Sequence, residues 1–137
     1  MSLDGIEGDA QGGVLTMERE HALEIRMVRE LQAALAAGDR EAAGALFNRL
    51  EDFSNAHFLA EQLLMRLHAY PAFAVHEEEH DRLIAELRDL RRTLEAPEPA
   101  DPVGAVARLE RWLYAHMESE DKALSDFLAQ SPGPGEG

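Results

Sequence analysis

Strong chain breakers gather at only four places in this 137-residue sequence: Gly38-Asp39, Tyr70-Pro71, the stretch from Ala96 to Pro102, and the tail beginning Ser131-Pro132-Gly133. Between them run four long segments in which apolar residues recur at three- and four-residue intervals, the period of one helix face. The first, roughly 16 to 37, sets His21, Ile25, Val28, Leu31 and Leu35 on one stripe and stops at Gly38, a residue suited to the position just past a helix end. The second starts behind Asp39 and runs to about Ala69, with Leu46, Leu50, Phe53, His57, Glu61, Leu64 and His68 on its stripe, and Pro71 closes it. The third takes Phe73 to about Leu94, its stripe being Phe73, His76, His80, Leu83, Leu87, Leu90 and Leu94. The fourth has Asp101 as N-cap and Pro102 in the first turn, and points Val106, Leu109, Leu113, His116, Met117, Leu124 and Phe127 inward. No segment shows the strand period. Short connections between long amphipathic helices predict an all-α chain folded as an antiparallel up-down-up-down four-helix bundle.

One bundle fits the length: residues 15–130 form the expected domain, with a flexible arm over 1–14 and a disordered tail over 131–137. Thirteen basic against 27 acidic residues give a formal net charge of −14, which speaks against nucleic acid or an anionic membrane as partner. There is no cysteine, so disulfides, thiolate metal sites and iron-sulfur clusters are excluded, and any metal must be held by histidine and carboxylate. The N-terminus lacks an apolar signal region and no run is long enough to span a bilayer; a monomeric cytoplasmic protein is the expectation.

Polar residues interrupt each buried stripe, at a cost unless they are paired or bind something. His76-Glu77-Glu78-Glu79-His80 spells the His-Glu-x-x-His pattern of zinc metalloproteases. Helix rise per residue lets the heights of the other histidines be compared. His21 and His57 lie nearly equally far from Gly38 along neighbouring helices; His57 and Glu61 fall within about two turns of His76 and His80 measured from Pro71. His80 and His116 are level when measured from the other end. Five histidines and a carboxylate thus converge on one core layer, which points to a metal site. A protease would leave His21, His57 and His116 without a role. A ferritin-like arrangement, with Glu18-x-x-His21 and Glu77-x-x-His80 as ligand pairs and Glu61 and Glu120 as partners, would strand His57, His76 and His116. A histidine-rich pair of irons uses them all, although zinc or copper would accept the same donors.

The stretch His57-Phe58-Leu59-Ala60-Glu61-Gln62-Leu63-Leu64-Met65, then Tyr70-Pro71, His76-x-x-x-His80, Trp112-Leu113-x-x-His116-Met117 and Asp121, resembles the hemerythrin family, and in detail its single-domain bacterial members, over about residues 15 to 130. The resemblance implies that His76, His80 and His116 hold one iron, that His21 and His57 hold the other, and that Glu61 and Asp121 bridge them together with an oxo or hydroxo group. Phe58, Trp112, Leu113 and Met117 match the family's pocket lining. The implied function is reversible O2 binding for storage or delivery, without enzymatic activity; a di-iron oxidase or ferroxidase, or an O2 or redox sensor acting through a partner, is the alternative. Helix spacing alone would pair His116 with Glu120, four residues on, whereas the family spacing selects Asp121. His68 shares the second stripe but lies two turns past Glu61, where the family has no ligand, and is expected at a partly exposed helix end. Glu18-Arg19-Glu20-His21 departs from the Asp-x-Gln-His common in bacterial members.

Overall fold

The computed structural model describes residues 10–130. These form α1 (Ala10–Ala36), α2 (Arg40–Leu67), α3 (Phe73–Glu95) and α4 (Pro102–His116), followed by a π-helical turn (Met117–Asp121) that leads directly into α5 (Lys122–Gln130). α4, the π turn and α5 make up the fourth rod. α1 packs on α2 and on the fourth rod, and α3 packs on those same two neighbours, closing an antiparallel up-down-up-down four-helix bundle. Among the described residues there is no strand.

The connections follow from their residues. Gly38 adopts φ 73° after α1; its N–H donates to the Leu35 carbonyl and the Asp39 N–H to that of Ala34, at 3.1 and 3.0 Å. This paired closure satisfies carbonyls that the helix end leaves free. Asp39 then caps α2 by accepting from the Ala42 N–H. The end of α2 uses the same closure with Ala69 at φ 51°, a left-handed position that costs a residue with a side chain about 1 kcal/mol. Packing of Tyr70 on Phe127, ring centroids 5.0 Å apart, helps to hold it there. At the start of α4 the Asp101 carboxylate accepts from the Gly104 N–H at 3.0 Å, so close that a Cβ at position 104 would collide with it.

Two findings depart from the sequence-based boundaries. α1 begins at Ala10, about six residues earlier than its periodicity suggests. Two glycines, each costing about 1 kcal/mol in a helix, hide this turn from a propensity reading. Val14 and Met17 supply the compensation, packing with Leu64, Met65, Leu124 and Leu128, and bare Gly13 lets α1 close on α2: a Cβ there would come within 3.1 Å of Leu64. The expected flexible arm therefore covers helical residues 10–14 and residues 1–9, which lie outside the described residues, as does the expected tail 131–137. The second difference is the inward face of α2, centred on Ala43, Phe47, Leu50, Ser54, Phe58 and Met65, while Leu46, Phe53 and Leu64 are half-buried at its edge.

Apolar side chains separate into two clusters. The larger, around Val28, Leu31, Phe47, Leu50, Leu83, Leu87, Val106 and Leu113, fills the end toward Gly38. The smaller, around Met17, Met65, Leu124 and Leu128, fills the end toward Tyr70. Between them lies a layer of buried polar residues: Glu24, Ser54, His57, Glu61, His76, His80, His116 and Asp121.

Candidate metal centre

Every helix contributes to this layer. His21 comes from α1, His57 and Glu61 from α2, His76 and His80 from α3, and His116 from the end of α4. Asp121 closes the π turn, where the Lys122 N–H reaches back to the Met117 carbonyl, five residues earlier rather than four. That inserted residue turns the side chain five positions after His116 into the core: Asp121 is 1% exposed, whereas Glu120 lies half-buried at the rim. The sequence alternative at this point is thereby decided in favour of Asp121 facing inward. The register shift carries on into α5, where Leu128 is fully buried and Phe127, the residue expected inward, is only half-buried.

The two carboxylates each divide their oxygens. Glu61 Oε1 lies 3.3 Å from His76 Nε2 and 2.9 Å from His80 Nε2, while Oε2 lies 3.1 Å from His21 Nε2 and 2.9 Å from His57 Nε2. Asp121 Oδ1 lies 2.8 Å from His76 Nε2 and 3.1 Å from His116 Nε2, while Oδ2 lies 2.9 Å from His21 Nε2. Two donor groups result, one of His76, His80, His116, Glu61 and Asp121 and one of His21, His57, Glu61 and Asp121, with the atoms of each group within 4.8 Å of one another. All the residues that sequence reasoning assigned as ligands meet here. His68, half-buried at the C-cap of α2, is outside both groups.

A cation fits this layer on the chemistry of its atoms. The Nε2 atoms of His57, His76, His80 and His116, with Glu61 Oε1 and Asp121 Oδ1, are buried and have no hydrogen-bond partner. One such orphan costs on the order of 1 to 3 kcal/mol, and several in one layer are intelligible only if their lone pairs have another use. The nitrogen and oxygen donors suit iron, zinc or copper and exclude thiolate-selective sites.

The local fields act in the same sense. Burial pulls His21, His57 and His76 toward their neutral forms, but the negative charge of the Asp121 and Glu61 carboxylates set against them outweighs it. His21 is pushed from its ordinary 6.5 up to about 10, and His57 and His76 up to about 9. His80 goes the other way because burial, with the neighbouring His76 and His116, dominates. Glu61 and Asp121 are held well below the carboxylate range: the surrounding imidazoles overcome a burial that would raise them. A bound cation takes the place of the imidazole protons, so binding releases protons.

Outside the donor atoms the imidazoles have further supports. His57 Nδ1 meets Glu20 Oε1 at 2.5 Å, a carboxylate on the far ring nitrogen that fixes the ring and leaves Nε2 facing Glu61. Gln62 stands 3.5 Å from His80 Nδ1, and Glu120 stands 3.9 Å from His116 Nδ1. Phe58 stacks on His80 with ring centroids 4.2 Å apart and meets His116 edge-on at 6.4 Å. Of the other residues matched to a pocket lining, Leu113 is buried in the larger apolar cluster and Met117 is half-buried against it. Trp112 also packs on that cluster, while its ring carries the Arg82 guanidinium at 5.4 Å and lines the outer groove between α3 and α4.

Sequence reasoning missed Glu20, Glu24 and Ser54. Glu24 is 1% exposed and accepts a 2.6 Å hydrogen bond from the equally buried Ser54 hydroxyl. Its signal was present: Met17, His21, Glu24, Val28 and Leu31 follow one helical stripe. Among the described residues, no helix is long and apolar enough to cross a membrane.

Comparison with known proteins agrees with the geometry. The chain is 28% identical over 121 residues to a bacteriohemerythrin of Stenotrophomonas maltophilia, covering 88% of this chain and 78% of that one. It is 30% identical over 110 residues to one of Methylococcus capsulatus, covering 80% and 84%. To one of Aquifex aeolicus it is 27% identical over 118 residues, covering 85% and 90%. No solved structure matches it significantly. The hemerythrin HHE cation binding domain matches residues 12–128, a span that takes in nearly all of the four rods and every donor of the layer, and the chain belongs to that family.

Proposed function

We propose that the chain is a non-heme di-iron protein that binds O2 reversibly in the bundle core, for storage or delivery, with His76, His80 and His116 on one iron, His21 and His57 on the other, and Glu61 and Asp121 bridging. The division of each carboxylate between a three-histidine and a two-histidine group carries this reading. A bridge needs one oxygen per metal, and the half with fewer imidazoles is the one with room for a further ligand. Paired ferrous ions supply the electrons that dioxygen takes on binding.

The protein's own residues do the rest. Glu20 fixes the His57 ring through Nδ1. Phe58 and Leu113, both buried, cover the layer from the side of the larger cluster and keep water from it. The bacteriohemerythrins that the chain resembles support the same assignment. Iron analysis should return two irons per chain. The reduced protein should change its visible absorption on exposure to air and recover the original spectrum under vacuum. A single zinc per chain, or a spectrum that never reverses, would remove the reading.

A further inference from the structure

The reversible-carrier reading has no use for Glu24, yet this carboxyl sits at the edge of the layer. It lies three residues beyond His21 on α1, about one turn or 4.5 Å of rise, and its partner Ser54 lies three residues before His57 on α2. Both are 1% exposed, and the Ser54 hydroxyl donates to Glu24 Oε2 at 2.6 Å. The pair is thus on the side of the two-histidine group that faces Val28, Leu50 and Leu113. Among the described residues no lysine or arginine pairs with Glu24. Burial pushes this carboxyl above its ordinary range, against the opposing pull of His57, Ser54 and His21, while Glu61 adds to the rise. Oε2 is occupied by Ser54, which leaves Oε1 as the other oxygen able to carry a proton.

We propose that Glu24, held by Ser54, is a proton donor to dioxygen reduced at the two-histidine half of the centre, so that bound O2 has a second exit as hydrogen peroxide. The proposal rests on the di-iron reading. In the step, O2 takes one electron from each of two ferrous ions and two protons, one from the Glu24 carboxyl and one from water. Hydrogen peroxide leaves, two ferric ions and a hydroxide remain, and the Glu24 carboxylate recovers its proton from solvent. A protonated acid beside the two-histidine group is what converts a returnable ligand into a leaving product.

The test uses Glu24→Gln, which keeps a hydrogen-bonding partner for Ser54, and Glu24→Leu, which replaces a buried carboxyl by an apolar side chain of similar size. Infrared difference spectra of the iron-loaded protein should show a protonated-carboxyl C=O band that shifts in D2O and is absent from both variants. Iron content should stay at the parental value. The oxygenated form should live longer in both variants, on the order of 100-fold, the low end of what a positioned acid contributes, with a matching fall in peroxide formed per O2 consumed. An oxygenated form that decays at the parental rate in both variants, or a parent without the carboxyl band, would overturn the proposal. A parent protein that holds no iron would remove the di-iron reading, and the proposal with it.

Discussion

At the scale of single residues, burial and the level of each side chain separate function from resemblance to function. His21 and His68 are both half-buried histidines, but His21, within α1, sets Nε2 against a carboxylate oxygen of Glu61 and of Asp121 whereas His68 caps α2 outside the donor groups. His21→Ala removes one of two imidazoles from its group, so iron per chain should fall from two toward one and oxygenation should be lost. His68→Ala should leave both unchanged. Metal analysis of the two purified variants checks this, and equal losses in both would show that the level of the histidines had been misjudged. The run Glu77 to Glu79 illustrates the converse. Its neighbours His76 and His80 point into the core, while Glu77 and Glu79 are half-buried and Glu78 is exposed, so the protease-like motif keeps its histidines and loses its glutamate.

At the scale of elements, the π turn is the feature on which the centre depends. In an uninterrupted α-helix the inward neighbour of His116 would be the residue four positions on, Glu120. One extra residue in the turn widens it, and π turns of this kind occur mostly at functional sites. Asp121→Ala should therefore abolish binding of the second iron and weaken the first, since both donor groups share Asp121. Glu120→Ala removes only a carboxylate 3.9 Å from the outer nitrogen of His116 and should weaken iron binding by at most about tenfold. Titration of the metal-free variants with ferrous iron distinguishes the two. A larger loss from Glu120→Ala would mean that the helix is regular in solution.

At the scale of the whole molecule, a charged layer separates two apolar clusters, and its stability depends on what neutralises it. His21, His57 and His76 titrate above their ordinary 6.5, at about 10, 9 and 9. A group whose pKa is raised by folding contributes stability that is complete below its unfolded value and disappears as pH rises through its folded value. Glu61 and Asp121, whose values are lowered, contribute fully above the ordinary carboxylate range and lose that contribution as pH falls below it through their folded values. Metal-free protein should accordingly be most stable between roughly pH 4.5 and 6.5, with a melting temperature that declines from pH 6.5 to 10. Iron-loaded protein should not show the alkaline decline, because the imidazoles there are held by metal rather than by protons. Thermal melts of both forms across that range provide the check, and a metal-free protein that gains stability toward pH 9 would contradict the assignment of these histidines to the layer.

Period and punctuation alone determined the four rods, their antiparallel order and the convergence of five histidines and Glu61, because helix faces and heights are properties of local spacing. The cap at Asp39, the glycine closure at Gly38 and the proline start of α4 were equally local, and the structure carries all three. Contacts between distant segments decided the remainder. Residues 10 to 15 are helical because Val14 and Met17 find Leu64, Met65 and Leu128 on other rods, not because Gly12 and Gly13 favour a helix. Asp121 faces inward because of a π turn that the four-residue spacing from His116 does not announce; the family resemblance had selected it, and Met117, Leu124 and Leu128 share its face. Glu24 and Ser54 looked like unremarkable polar residues until α1 and α2 were brought together, since whether a carboxyl is solvated or enclosed depends on the helix opposite it.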